Sequence, residues 1–253
     1  SELSMLLEKL DSFSSDALST DEQTTFSLLQ NTLKQNLQLQ SYPYYDELLG
    51  SSTGVPANLP VTLSEYPLNT KEDVITYLSL LKQIPAYFQE ILEYETLRGS
   101  SGLQVPSFVI EESVSTLTPF VESLKTDENC FLQTFDERIN ELSSLSNEEK
   151  QAFITSNEEA VKGYLLPAYE SVLTYLNKQL TLSDEWNPDT AYGTSSLPNG
   201  TSYYELLVSQ NTGSNDSVDS LIHKTDQLIT DTFSNVLTTA TMHPEVYFYY
   251  CEH

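Results

Sequence analysis

The stretch "NTKEDVITYLSLLKQIPAYFQEILEYETLRGSSG", residues 69–102, decides the fold. Val74, Tyr77, Leu78 and Leu81 recur at spacings of three and four, which puts them on one face of an α-helix. This predicts a helix from about Thr70 to Pro85. Pro85 can restart a helix, because the N–H it lacks is not needed in a first turn. The restarted helix carries Phe88, Ile91 and Leu92 and stops at "RGSSG", where Gly99 suits a C-terminal cap.

The same spacing recurs on both sides of this stretch. Towards the N-terminus, "TDEQ" at 20–23 forms a capping box ahead of Phe26, Leu29, Leu33 and Leu37. Towards the C-terminus, Pro106 opens a helix with Val109, Val114, Leu117, Val121 and Leu124, and Pro119 within it predicts a bend. A further helix covers about 129–144, and "SNEE" at 146–149 and again at 156–159 starts the next two segments. The second of these runs to about Leu180. Pro167 inside it would clash with the carbonyl of Gly163, so a kink is expected. A last helix runs from Ser217 through Leu221, Leu228, Phe233 and Val236 to about Thr239. Residues 50–68 and 181–201 read as long Pro- and Gly-rich loops. The fold class is therefore all-α: an irregular array of helices, kinked at Pro119 and Pro167, over one domain, 1–253.

Composition narrows the function. The 253 residues include 37 acidic and 11 basic side chains, a formal net charge of −26. That charge opposes nucleic acid, whose phosphates need clustered Lys and Arg, and it equally opposes anionic membrane surfaces. No run approaches the roughly 18 apolar residues of a membrane span. Cys130 and Cys251 are the only cysteines, and they can be paired or separate. Low cysteine, abundant Ser, Thr, Asn and Gln, and strong acidity suggest a bacterial extracytoplasmic protein. The N-terminus has the look of a trimmed chain, without an initiator Met or a signal-type apolar region. The aromatic tail "HPEVYFYYCEH", 243–253, ends abruptly, so the natural protein is expected to continue.

No catalytic constellation emerges from the residues. "GSSTG" at 50–54 fits the G-x-S-x-G elbow, but that motif needs a strand before it and a helix after it. A short helix, "YYDELL", is expected before it and an extended loop after it, so the hydrolase reading is rejected. His223 has Asp219 and Asp226 on its helical face and reads as a solvated histidine. No H-E-x-x-H, P-loop or dinucleotide fingerprint occurs. Sixteen tyrosines are many for an acidic helical chain, and a tyrosine suits a cleft because it combines a buried ring with a polar hydroxyl. Tyr203 and Tyr204 follow a Pro-Asn-Gly turn and point about 100° apart, so at most one faces a cleft. Packing residues are the plainer alternative.

Several stretches taken in order resemble a known family: "GVPANLP", "YPLNTKEDVITYLSLL", "GLQVPSFVIEESV", "LLPAYESVLTYL" and "GTSSLPNGTSYYELLVSQNTG". Together they resemble the N-terminal half of family 885 of the bacterial domains of unknown function, from about residue 43 to 240. Residues 1–42 form N-terminal helices outside it, and 241–253 form the tail. The sharpest match is Leu197, Pro198, Gly200, Tyr203 and Tyr204. The resemblance implies a mostly helical, exported or lipoprotein-anchored protein related to zinc peptidases of the carboxypeptidase Taq type. It also implies that the zinc-binding segment lies downstream of this chain. The chain itself then has no catalytic residue, no metal site and no cofactor. It would supply one wall of a cleft for a peptide-like substrate, with Asn199, Gly200, Tyr203 and Tyr204 as candidates. Its packing partner would be the missing C-terminal half. The alternative is a non-enzymatic acidic helical binding module.

Overall fold

A computed structural model describes residues 1–15, 18–127, 129–183 and 193–244. The fold is all-α, with no strand among the described residues. Contacts group the chain into two compact units, Tyr44–Gly193 and, joined from both ends of the chain, Ser1–Pro43 with Thr194–His253.

The first unit is a helical body with a continuous core. It contains α3 (Val55–Ser64), α4 (Lys71–Ser100), α5 (Ser107–Leu124), α6 (Cys130–Glu141), α7 (Asn147–Ala160) and α8 (Leu166–Leu182). The long helix α4 is its spine. Val74, Tyr77, Leu78, Leu81, Ile84, Phe88 and Ile91 form one buried stripe along it. The stripe keeps its phase through Pro85, and so does the helix, contrary to the break expected there. The magnitudes explain why. An interior proline costs about 3 kcal/mol, whereas each large apolar side chain buried contributes about 1.5–3 kcal/mol. Seven such residues on one face outweigh one proline. Pro119 is likewise carried inside a continuous α5, whose buried face is Ile110, Leu117, Val121 and Leu124.

Pro167 has a different outcome. Immediately before it, Val161–Leu165 forms a π-helical turn, and Leu166 N–H donates to the Val161 carbonyl. Widening the helix there relieves the contact that the proline ring would otherwise make with the preceding turn. The helical run therefore continues from α7 into α8. The second "SNEE" does not start a segment; it lies inside α7, with Asn157 fully buried and donating to the Phe131 carbonyl at 3.1 Å. Only the first is a capping box, between Ser146 and Glu149.

One loop expectation and one helix expectation are also corrected. Residues 55–64 form helix α3, with Pro56 in its first turn and Pro60 inside it, while "YYDELL" is not helical. A helix does follow "GSSTG", but no strand precedes it, so the elbow is still not formed. The end of α4 is set by Gly102 rather than Gly99. Gly102 has φ +77°, Leu103 N–H reaches the Arg98 carbonyl at 3.2 Å and Gly102 N–H the Gly99 carbonyl at 3.2 Å, which is a Schellman closure. Buried aromatic rings tie the helices together. Tyr169 of α8 meets Phe88 of α4 edge-on at 5.0 Å and Phe120 of α5 at 4.8 Å. Its hydroxyl donates to the Pro56 carbonyl at 2.8 Å.

The second unit contains α1 (Glu2–Asp11), α2 (Thr20–Leu39), α9 (Gly200–Thr212) and α10 (Val218–Met242). The box before α2 starts one residue earlier than expected, pairing Ser19 with Glu22. The α2 stripe is at most half-buried: Leu33 and Leu37 are partly covered, while Leu29 is exposed. The expected loop segment 184–192 and the tail from 245, with Cys251, lie outside the described residues.

Tyr169→Phe removes one buried donor and leaves the Pro56 carbonyl without it. The variant is expected to lose about 1–3 kcal/mol in denaturant unfolding with unchanged helix content. An unchanged midpoint would show that this bond does not tie α8 to α3.

Candidate functional site

The buried stripe of α4 does not end at Ile91. Its next two members are Glu95 and Arg98, only 4% and 5% exposed. They lie at the spacing that continues Phe88 and Ile91, so the helix turns the two charges onto the face that carries the core. The Glu95 carboxylate accepts from the Leu48 backbone N–H at 2.9 Å, tying the segment before α3 to the spine. Its distance to Arg98 is 3.8 Å, close enough for an ion pair and too long for a hydrogen bond. The Arg98 Nε–H is buried and has no acceptor among the described residues. Buried polar groups are almost always satisfied, so this one marks the place as unusual.

The pair opens onto a cavity of about 350 Å³. Leu49, Leu103, Val105, Ile110, Leu176 and Leu182 give it an apolar wall, and Glu47, Gln104, Tyr175, Gln179 and Ser183 give it polar points. The described lining comes from α4, α5, α8, the segment before α3 and the turn after Gly102, all within the 44–193 unit. The Schellman closure matters here, because it turns the chain so that Leu103 is buried beside Arg98. Burial pushes the Glu95 carboxyl above its ordinary value near 4.5, against the pull of the Leu48 N–H and Arg98. Burial also raises the Tyr175 phenol, opposed by a hydrogen bond with Thr96.

The residues singled out in the sequence lie in the other unit. Asn199 has φ +53°, a left-handed turn residue ahead of α9. Gly200 is buried so closely that a Cβ would come within 1.7 Å of the Thr194 carbonyl oxygen. Tyr203 is 8% exposed and packs on Tyr42 with ring centres 5.2 Å apart, whereas Tyr204 is 47% exposed. The two rings do face different ways. Asn199 and Gly200 form the turn, Tyr203 packs inward, and Tyr204 is the one open to a partner. His223 is exposed on α10, and no group of three His, Cys, Asp or Glu side chains able to hold a metal occurs among the described residues. Cys130 is exposed at the start of α6.

Sequence reasoning missed Glu95 and Arg98. The signal was present: extended from Val74 to Ile91, the stripe predicts that positions 95 and 98 face inward. A buried charge there can be read only by trusting phase over residue type.

Fold and site define an all-helical protein with a ligand-sized cavity built around a buried ion pair. The chain belongs to a bacterial family of proteins of unknown function, DUF885, whose family model matches residues 2–241. The match takes in the N-terminal helices that the resemblance left out. A crystal structure described as "the putative lipoprotein from Colwellia psychrerythraea" has a similar fold, with a TM-score of 0.75 at 19% identity. The match covers 85% of this chain and 38% of that one, so this chain spans well under half the length of its solved neighbour. No curated protein matches it. No helix among the described residues is long and apolar enough to cross a membrane.

The pH dependence of Glu95 is testable. A carboxyl whose folded pKa is raised stabilises the fold most when protonated, and that contribution is lost as pH rises above the ordinary value near 4.5. The stability of the wild type relative to Glu95→Gln is expected to fall with increasing pH from that point. A difference that rises with pH would mean that pairing with Arg98 outweighs burial.

Proposed function

We propose that this chain is the helical portion of an exported, peptidase-like bacterial protein. In that protein it forms one wall of a cleft for a peptide-like substrate, and the catalytic groups come from other parts of the polypeptide. The observation that carries this reading is the apolar surface of the unit holding α1, α2, α9 and α10. Tyr203 is its only buried hydrophobic residue among those described, while Leu228, Ile229, Phe233, Val236 and Leu237 stand exposed on α10. Phe233 is 75% exposed. Contiguous apolar surface of this kind normally meets a partner. The solved neighbour, with 62% of its length outside the match, offers the natural one: a further part of the same polypeptide. An extracytoplasmic location is supported by that neighbour's description and by the composition. The described residues do not fit a zinc centre, so the zinc of such a peptidase would need donors from elsewhere.

A second reading is a non-enzymatic binding module. It is favoured by the cavity beside Arg98, whose described lining lies within residues 44–193.

Metal analysis and peptide-cleavage assays on the full-length protein separate the two. The peptidase reading expects stoichiometric zinc and chelator-sensitive cleavage in the full-length protein, and neither in residues 1–253 alone. A full-length protein with neither removes that reading and leaves the binding module. Independently, Phe233→Asp is expected to destabilise the full-length protein by about 2 kcal/mol or more, and the 253-residue chain by less than about 0.5 kcal/mol. Equal small effects would show that α10 is not covered by the rest of the polypeptide.

A further inference from the structure

We propose that the cavity beside Glu95 and Arg98 binds a small zwitterion with an aliphatic body, of the size of an amino acid or dipeptide. The inference rests on the cavity alone and does not require peptidase activity. Arg98 carries the argument. It is buried, its Nε–H has no acceptor among the described residues, and Glu95 at 3.8 Å lies beyond hydrogen-bond reach. A guanidinium presents its donors as a planar fork, and the group that matches this fork is a carboxylate.

Charge then excludes a simple anion. Glu47 and Glu95 line the same cavity, so among the described residues two carboxylates share it with one guanidinium. An anion would add a third negative charge in a chain whose net charge is already −26. A ligand bringing its own ammonium group offsets that repulsion and gives Glu47, the exposed carboxylate of the two, a partner. A simple cation would leave the Arg98 donor unanswered. The apolar wall of Leu49, Leu103, Leu176 and Leu182 accounts for the aliphatic body. A cavity of about 350 Å³ is at the small end of ligand sites.

Titration calorimetry of the 253-residue chain with L-leucine and L-alanyl-L-leucine tests this. Saturable binding of at least one is expected, weakened about tenfold or more when its carboxyl is amidated or its amine acetylated. Sodium acetate should not compete. Glu47→Gln, at an exposed position, should weaken binding about fivefold without moving the melting temperature. Arg98→Gln should abolish binding, and if that variant does not fold, Glu47→Gln still decides. Absence of saturable binding overturns the proposal. Equal affinity for the amidated and acetylated forms, or competition by acetate, also overturns it and leaves a plain apolar or anion site.

Discussion

The unbroken stripe on α4 is the constraint on which the 44–193 unit depends. Its residues contact neighbours on several sides, and its phase survives a proline because cooperative burial exceeds the cost of one missing hydrogen bond and a local clash. A helix break at Pro85 would send Phe88 and Ile91 out of line with Val74 and Leu81. Tyr169 would then lose Phe88, the ring that joins α8 to the spine. The same constraint fixes the site. Once the helix is held rigid from Lys71 to Ser100, positions 95 and 98 must face inward whatever residues occupy them.

The consequence is a conflict between phase and chemistry at the end of α4. Burying a carboxylate and a guanidinium is expensive, and their attraction offsets the desolvation only with good geometry and full hydrogen bonding. Glu95 has a backbone donor, whereas the Arg98 Nε–H has no acceptor among the described residues. An apolar pair would continue the stripe without this penalty, and the two preceding turns show that the helix accommodates one. Local rules broken in this way concentrate at functional sites, which is why the cavity beside the pair carries more weight than its size alone would.

Much of the fold was legible in the sequence because helical spacing is a local property. The stripes of α4 and α5, the box at Ser146 and the turn at Asn199–Gly200 all follow from neighbours a few residues apart. Errors clustered where a long-range term overrode a local one. Pro85 reads as a break because sequence shows the missing N–H and not the burial that compensates for it. The second "SNEE" reads as a cap because its pattern is local, while Asn157 is committed to Phe131 of another helix. Residues 55–64 read as loop because two prolines hid a helix in which Pro56 and Leu63 are buried. The cavity was the least legible feature. Its walls come from three helices, the segment before α3 and a turn, a meeting no spacing rule encodes.

The two units also differ in how they are stabilised. In the 44–193 unit, rings and aliphatic chains from six helices bury one another, and the core extends from Leu49 to Leu176. In the other unit the helices are well capped, at Ser19 and Ser217 among others, yet almost nothing along them is buried. Capping and propensity contribute about 1 kcal/mol per helix end, and most helix stability in proteins comes from packing an apolar face. A 25-residue helix such as α10, with its apolar residues facing water, therefore has good local signals and little tertiary support. Those two facts are reconciled if the stripe from Leu228 to Leu237 is matched to a surface supplied by more polypeptide.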